Sequence, residues 1–284
     1  MIKLNPKLSQ KFAVAFLFCA TIVAIIPVVI IIFIIIKNGY SAISLEFLTA
    51  MPTNGMRSGG IFPAIVGTLS IVFCAILITL PIGVCAAIYL NEYAKDTLLT
   101  RLIKLAIVNL AGIPSVVYGL FGLGIFVMFL GFGVSIIAGA LTLSIMELPV
   151  IITTARGALN SVPPAFREAS LALGVSRWQT IRHIVLPNAL PGILTGAILS
   201  IARISGETAP ILFTAAAFYL PHIPRSPFDQ VMALPYHLYI ISTQIPNMPK
   251  NIIFATALVL LMMVLSMSLI AIIARIYFRK RRKW

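Results

Sequence analysis

FAVAFLFCATIVAIIPVVIIIFIII, residues 12–36, is twenty-five residues long and carries no charge. An uncharged apolar run of about 18 or more residues is long enough to cross a bilayer as a helix. The basic leader Lys3, Lys7 and Lys11 precedes it, and a secretory signal opens the same way. A signal has a shorter apolar core followed by small residues at a cleavage site. This run ends instead in IIIKNGY, so it reads as a retained span.

The same test finds five more runs, at about 62–90, 105–130, 134–154, 188–217 and 252–277. GFG at 131–133 predicts a tight hairpin between the third and fourth. Composition agrees: of 284 residues, 60% are hydrophobic and 10% charged, with a mean hydropathy of +1.07. Soluble domains lie far from these values. No period of 20–50 residues suggests internal repeats. The expected fold is an all-α, polytopic membrane protein with six transmembrane helices in one domain, 1–284.

Six spans put both termini on one side. With the N-terminus inside, Lys3, Lys7, Lys11, Lys95, Arg101, Lys104, Arg156, Arg167, Arg177 and Arg182 face the cytoplasm, with Arg275, Arg279, Lys280, Arg281, Arg282 and Lys283 of the tail. Only Lys37, Arg57, Arg225 and Lys250 fall outside. The asymmetry gives an N-in, C-in topology. It also accounts for the net charge of +14 through orientation and acidic headgroups, not nucleic acid. The tail RIYFRKRRKW, with Trp284 at the interface, reads as a membrane-surface anchor.

The long outer loops are 38–61 and 218–250. Pro221, Pro224, Pro227, Pro235, Pro246 and Pro249 exclude one regular helix from the second, which leaves room for a short helix around FDQVMALPYHLYIIST. Cys19, Cys74 and Cys85 sit inside apolar runs as small hydrophobes, with no disulfide framework or CxxC pattern. His183, His222 and His237 are scattered and no HExxH is present, so a metal site is not expected. There is no GxxxxGK[ST], hence no nucleotide site in this chain. Nor is there a convergent nucleophile–base set. The expectation is a membrane protein with no catalysis and no bound cofactor of its own.

The inner loop 155–187 carries helix signals at close range. Pro163 and Pro164 suit a helix start, and Phe166, Ala169 and Leu173 fall on one face. Gly174 stands where a C-terminal cap reverses the chain. SRWQ opens a second helix as a capping box, Ser176 bonding forward and Gln179 back. Trp178, Ile181 and Val185 supply its apolar face, and Pro187 is expected to end it. Two readings stay open on these signals: helices resting on headgroups, or a docking element for a cytoplasmic partner.

The residues EASLALGVSRWQTIRHIVLP resemble the EAA loop of ABC importer permeases: E-A-A, three residues, G, nine residues, then I-x-L-P. Glu168, Ala169, Gly174, Ile184, Leu186 and Pro187 match in register, with Ser170 in place of the second alanine. The resemblance implies a type I ABC importer permease-like fold. It also implies that the loop is the coupling helix seated in a groove of a separate ATPase subunit, which uses the ATP.

LSIARISGETAPILF, residues 199–213, breaks the apolar character of the fifth span with Arg203 and Glu207. A charge at mid-bilayer costs about 2.5–3.5 kcal/mol on insertion scales, so it faces protein or water. Arg203 lies about fifteen residues into the expected span, near its centre. Glu207 follows four residues on, within reach on the same face. The pair is either a neutralising packing device or part of a polar translocation site, in which the planar guanidinium grips two oxygens of an oxyanion. Pro210 leaves the Gly206 carbonyl without its helical partner and allows a bend there. GILTG, with Gly192 and Gly196, lets another helix approach closely. Glu147, expected near the cytoplasmic end of the fourth span, reads as a packing or gating residue paired with an inner basic group.

ARISGETAPILFTA resembles the R-x-x-G-E-T-A-P segment of phosphate-specific ABC transporter permeases of PstA type, carried by Arg203, Gly206, Glu207, Thr208, Ala209 and Pro210. That resemblance implies phosphate import, with Arg203 contacting the anion and Glu207 tuning it. It implies a homologous PstC-type permease, a cytoplasmic ATPase dimer and an external phosphate-binding protein as partners, in a prokaryotic inner membrane. Sulfate or molybdate import is the alternative within the same machine, and an ion-coupled secondary transporter the alternative outside it.

Overall fold

A computed structural model describes residues 6–280. Lys3, Arg281, Arg282, Lys283 and Trp284, counted above, lie outside the described residues. Among those described, five helices are long and apolar enough to cross a membrane, six if one bent pair is taken as a single crossing.

The chain opens with α1 (Pro6–Gly39), whose side chains are exposed almost throughout. A short α2 (Leu45–Thr49) and a two-stranded hairpin, β1 (Pro52–Thr53) with β2 (Ser58–Gly59), lead to α3 (Phe62–Ile88). The strands are antiparallel, with Pro52 opposite Gly59. α3 continues as a π-helical segment, Tyr89–Tyr93.

The third crossing departs from expectation. In place of one span over 105–130, α4 (Leu98–Leu110) and α5 (Ser115–Gly122, continued by the π segment Leu123–Phe129) meet at 104°. Pro114 supplies no N–H and pushes the residue before it out of the helical region. The Tyr118 hydroxyl donates to the Leu110 carbonyl at 2.8 Å across the bend. Gly131 and Gly133 then turn the chain with φ of +69° and +65°, the reversal expected of GFG.

α6 (Ile136–Asn160) starts on Ser135, whose hydroxyl accepts from the Ala138 N–H. It runs past the expected end at 154, because nothing in TTARGALN stops a helix before the SVPP that follows. α7 (Pro164–Ala172) begins on its prolines as read from sequence. Gly174, at φ +80°, turns the chain, and the Ser176–Gln179 capping box opens α8 (Arg177–Thr180).

Pro187 does not end that helix. α8 passes through a π segment, Ile181–Val185, into α9 (Leu186–Gly206), one helical run over Arg177–Gly206. A proline lacks the N–H for an i−4 bond and crowds the carbonyl of that residue. A wider turn just before it relieves both, so the helix bulges and goes on.

The expected fifth span, 188–217, is thus shifted and broken. α9 ends at Gly206, Glu207 is extended at φ −72° and ψ 131°, and α10 (Ala209–Thr214) restarts with Pro210 in its first turn. Arg203 lies in the last turn of α9, not at a span centre. α11 (Leu234–Thr243) takes up the second half of the outer-loop stretch expected to form a short helix. α12 (Lys250–Lys280) closes the bundle.

α3 lies along α6, α6 along α9, α9 along α12 and α12 along α1, while α10 packs on α5. The α6–α9 approach is set by the GILTG glycines. A Cβ on Gly192 would strike Ala158, and one on Gly196 would overlap the Thr154 side chain. The larger buried cluster joins Ile71, Leu143, Met146, Ile204, Leu234 and Ile241 in mid-bundle. A second, at the end assigned to the cytoplasm by charge, joins Ile88, Ile152, Leu159, Ile181, Val185 and Ile193.

In the outer loop, Asp229 accepts from the Arg225 and Ser226 N–H groups at 2.7 and 2.9 Å, which holds its carboxyl below the usual range. α11 is clasped from α3 by a bond from the Leu234 N–H to the Thr68 hydroxyl, 2.8 Å. It buries His237 with Nδ1 unpartnered, and burial lowers the imidazole pKa from 6.5 to about 4. A histidine kept neutral in the fold is stabilising in full above the unfolded pKa of 6.5. That stability drains as pH falls toward the folded value of about 4. Between pH 6.5 and 5 the loss is about 2 kcal/mol. We expect the melting temperature of the purified protein to drop over this interval, and His237→Leu to remove most of the drop.

Candidate functional site

Two groups of expected site residues lie far apart on the bundle. The first surrounds the α9–α10 break. Pro210 cannot donate to the Gly206 carbonyl, and the space around Gly206 is open. The chain therefore leaves the helix there and carries Glu207 back alongside Arg203. The Arg203 Nε lies 3.6 Å from Glu207 Oε1, so the expected pair forms across the break.

A nearer partner, assigned elsewhere by the sequence reading, is Glu147. It sits in the middle of α6, not near the cytoplasmic end, and its Oε1 is 3.2 Å from Arg203 Nε. Its side chain is 0% exposed, against 41% for Arg203 and 18% for Glu207. A lone carboxylate in the apolar stretch IMELPVII needs a buried cation, and Arg203 is the basic residue placed well inside an expected span rather than at its end. That pairing was the available signal.

The cluster is not a saturated lock. The buried Ser200 hydroxyl, one turn before Arg203, lies against the Glu147 carboxylate, but no well-aligned hydrogen bond joins them. A buried ion pair that serves packing alone needs its remaining lone pairs satisfied to repay desolvation. Here two carboxylates approach the guanidinium through Nε and much of the side chain stays open. Such an arrangement can present a planar donor set to an oxyanion while two carboxylates weaken the grip. Thr208 and Pro210 shape the break and lie beside it.

The second group forms the 155–187 loop. Glu168, Ala169 and Gly174 are exposed at its tip, and Ile184, Leu186 and Pro187 are half-buried at its root. Ser170, in place of alanine, is buried and shares a 2.8 Å hydrogen bond with the Thr180 hydroxyl, tying α7 to α8. The expected face of Phe166, Ala169 and Leu173 points away from the bundle, with Leu173 83% exposed. Trp178 is exposed as well, whereas Ile181 and Val185 are buried.

Known proteins resemble this chain over most of its length. Residues 79–283 match the family described as binding-protein-dependent transport system inner membrane component. The phosphate transport system permease protein PstA 1 of Mycobacterium tuberculosis H37Rv is 34% identical over 99% of this chain and 92% of its own. The probable ABC transporter permease protein YqgI of Bacillus subtilis is 43% identical over 75% and 72%. In fold, the chain is similar to a crystal structure of a bacterial ABC transporter that imports the acidic polysaccharide alginate. That match has a TM-score of 0.66 and 16% identity over 98% of this chain and 100% of the other. A mostly helical bundle with five or six crossings, a helix–turn–helix in the register of the EAA loop and these matches place the chain in one family: it is a membrane permease of the binding-protein-dependent transport systems.

Proposed function

We propose that this permease carries inorganic phosphate into the cytoplasm of a prokaryotic cell through the inner membrane, as a single domain, 1–284. The observation that carries the reading is the Arg203 cluster, a half-open guanidinium, 41% exposed, held between the buried Glu147 and the partly exposed Glu207. Relatives named phosphate transport permeases support it. Arg203 is the contact for the anion. Glu207, with Glu147 behind, orients the guanidinium and keeps the grip weak enough for release. Gly206, Thr208 and Pro210 supply the break that brings Glu207 back.

The 155–187 loop is the element that a cytoplasmic ATPase dimer grips, with Glu168, Ala169 and Gly174 at the contact and Ile184, Leu186 and Pro187 anchoring it. ATP is bound and spent by that partner, and this chain carries no cofactor and catalyses no reaction. A homologous PstC-type permease completes the pathway, and an external phosphate-binding protein delivers the ion.

The test is uptake of radiolabelled phosphate in cells lacking their own high-affinity importers and expressing this chain with its partners. Uptake that withstands excess sulfate and molybdate and stops on ATP depletion supports the reading. Equal competition by sulfate overturns the substrate assignment. Uptake that follows the ion gradient instead of ATP overturns the machine.

A further inference from the structure

Leu171 on α7 and Leu173 just after it are exposed, so apolar contact from these side chains does not hold the helix to the bundle. Arg167 does. Its guanidinium donates to both oxygens of Glu92, from Nη2 to Oε1 at 2.9 Å and from Nε to Oε2 at 3.4 Å. It also donates to the main-chain carbonyls of Val162 and Leu159 at 2.7 and 2.8 Å. The two side chains are only 20% and 10% exposed. The Asn91 amide donates to Glu92 Oε1 at 2.9 Å and steadies it. A second contact runs beside this one: the guanidinium carbon of Arg177, at the start of α8, lies 6.0 Å from the centre of the Tyr93 ring.

Glu92 and Tyr93 belong to the same π segment, Tyr89–Tyr93, at the end of α3. The backbone connects the loop to α6 and α9, not to α3, so these polar side chains reinforce the buried apolar cluster with a directional link. α3 then runs back through the bundle. From 20 to 24 positions before Glu92, Thr68, Ile71 and Val72 line a narrow cavity shared with Ile204 and Glu207. A stretch of about 30 Å of one helix thus connects the foot of the loop with the surroundings of the charge cluster.

We propose that the Glu92–Arg167 pair is the link through which movement of the 168–187 loop reaches α3 and, along it, the Arg203 cluster. The proposal rests on the coupling role given to that loop above. A bidentate fork fixes direction as well as distance, and the same guanidinium also holds the end of α6 and the Val162 linker. A push on α7 is therefore delivered to α3 and α6 together. Glu92 and Arg167 are positioning residues, and neither touches the transported ion.

The test is the assembled transporter in proteoliposomes, measuring phosphate taken up per ATP hydrolysed. Glu92→Leu combined with Arg167→Met removes both charges at similar volume, a change that buried pairs commonly tolerate in stability. We expect a normal melting temperature, ATP hydrolysis within about twofold and uptake per ATP lowered about tenfold, the scale of a typical coupling free energy. An unchanged ratio overturns the proposal, and so does a proportional fall of uptake and hydrolysis together, since either makes the pair a matter of fold alone. Should the double variant not assemble, Arg167→Lys keeps the charge and loses the fork; a lowered ratio supports the link and an unchanged one overturns it. Gly174→Trp in the same assay probes the loop itself. If that variant keeps its ATPase subunits and transports normally, the loop reading fails independently of the pair.

Discussion

Arg203→Gln is expected to lower phosphate uptake by about 100-fold, because a guanidinium fork gives an oxyanion two charge-assisted hydrogen bonds of roughly 1.5–3 kcal/mol each. The substitution also strips Glu147 of its cation. An unpaired buried charge is destabilising by about 3–5 kcal/mol, so the single variant falls in abundance as well as activity. The decisive comparison is Arg203→Gln with Glu147→Gln. Removing both charges restores membrane insertion and thermal stability, while uptake stays at the level of the single variant. A double variant that transports normally shows the cluster to be a packing device, and the proposed path is then wrong. Uptake normalised to protein in the membrane separates the two effects.

Gly174→Trp is expected to abolish coupled transport while leaving the bundle intact. At φ +80°, Gly174 holds a conformation that costs an ordinary L-residue about 1–2 kcal/mol. That alone would depopulate the docking shape of the loop about 5–30-fold. No atom of this chain outside the neighbouring residues lies within 4 Å of a Cβ placed there, so a side chain can leave the backbone at this position without striking the permease. The indole projects where the ATPase is proposed to sit. Gly174→Asn is the control, since asparagine tolerates the left-handed region and is small. Co-purification of the ATPase subunits with each variant, beside uptake, is the measurement. Equal behaviour of the tryptophan and asparagine variants would show that neither the turn nor the surface matters.

Much of the helical-span pattern and three of the local devices were legible without coordinates. Hydrophobic run length is a one-dimensional property, and crossing a bilayer depends on it directly, so α1, α3 and α12 match expectation within a few residues. The Ser176–Gln179 box, the proline start of α7 and the Gly174 turn are also local, each a bond between near neighbours in the chain. Prolines were the weaker guide. Pro114 breaks the third crossing, Pro187 is absorbed by a π turn and Pro210 starts a new helix. The same residue type has three outcomes, because the backbone groups a proline frees find different partners in each setting.

Sequence alone determined that this chain is a helical membrane protein, which loop is the basic helix–turn–helix, and that Arg203 needs a reason to be in an apolar run. Those statements rest on hydropathy, charge asymmetry and short-range spacing. Only the tertiary structure decided what Arg203 pairs with and what holds the loop. Glu147 approaches Arg203 from α6, and Glu92 reaches Arg167 from the end of α3, across 75 positions of chain. Such contacts depend on which helix faces lie together, and those faces are set by the close α6–α9 approach at Gly192 and Gly196 and by the packing of α3 on α6. No local pattern encodes them.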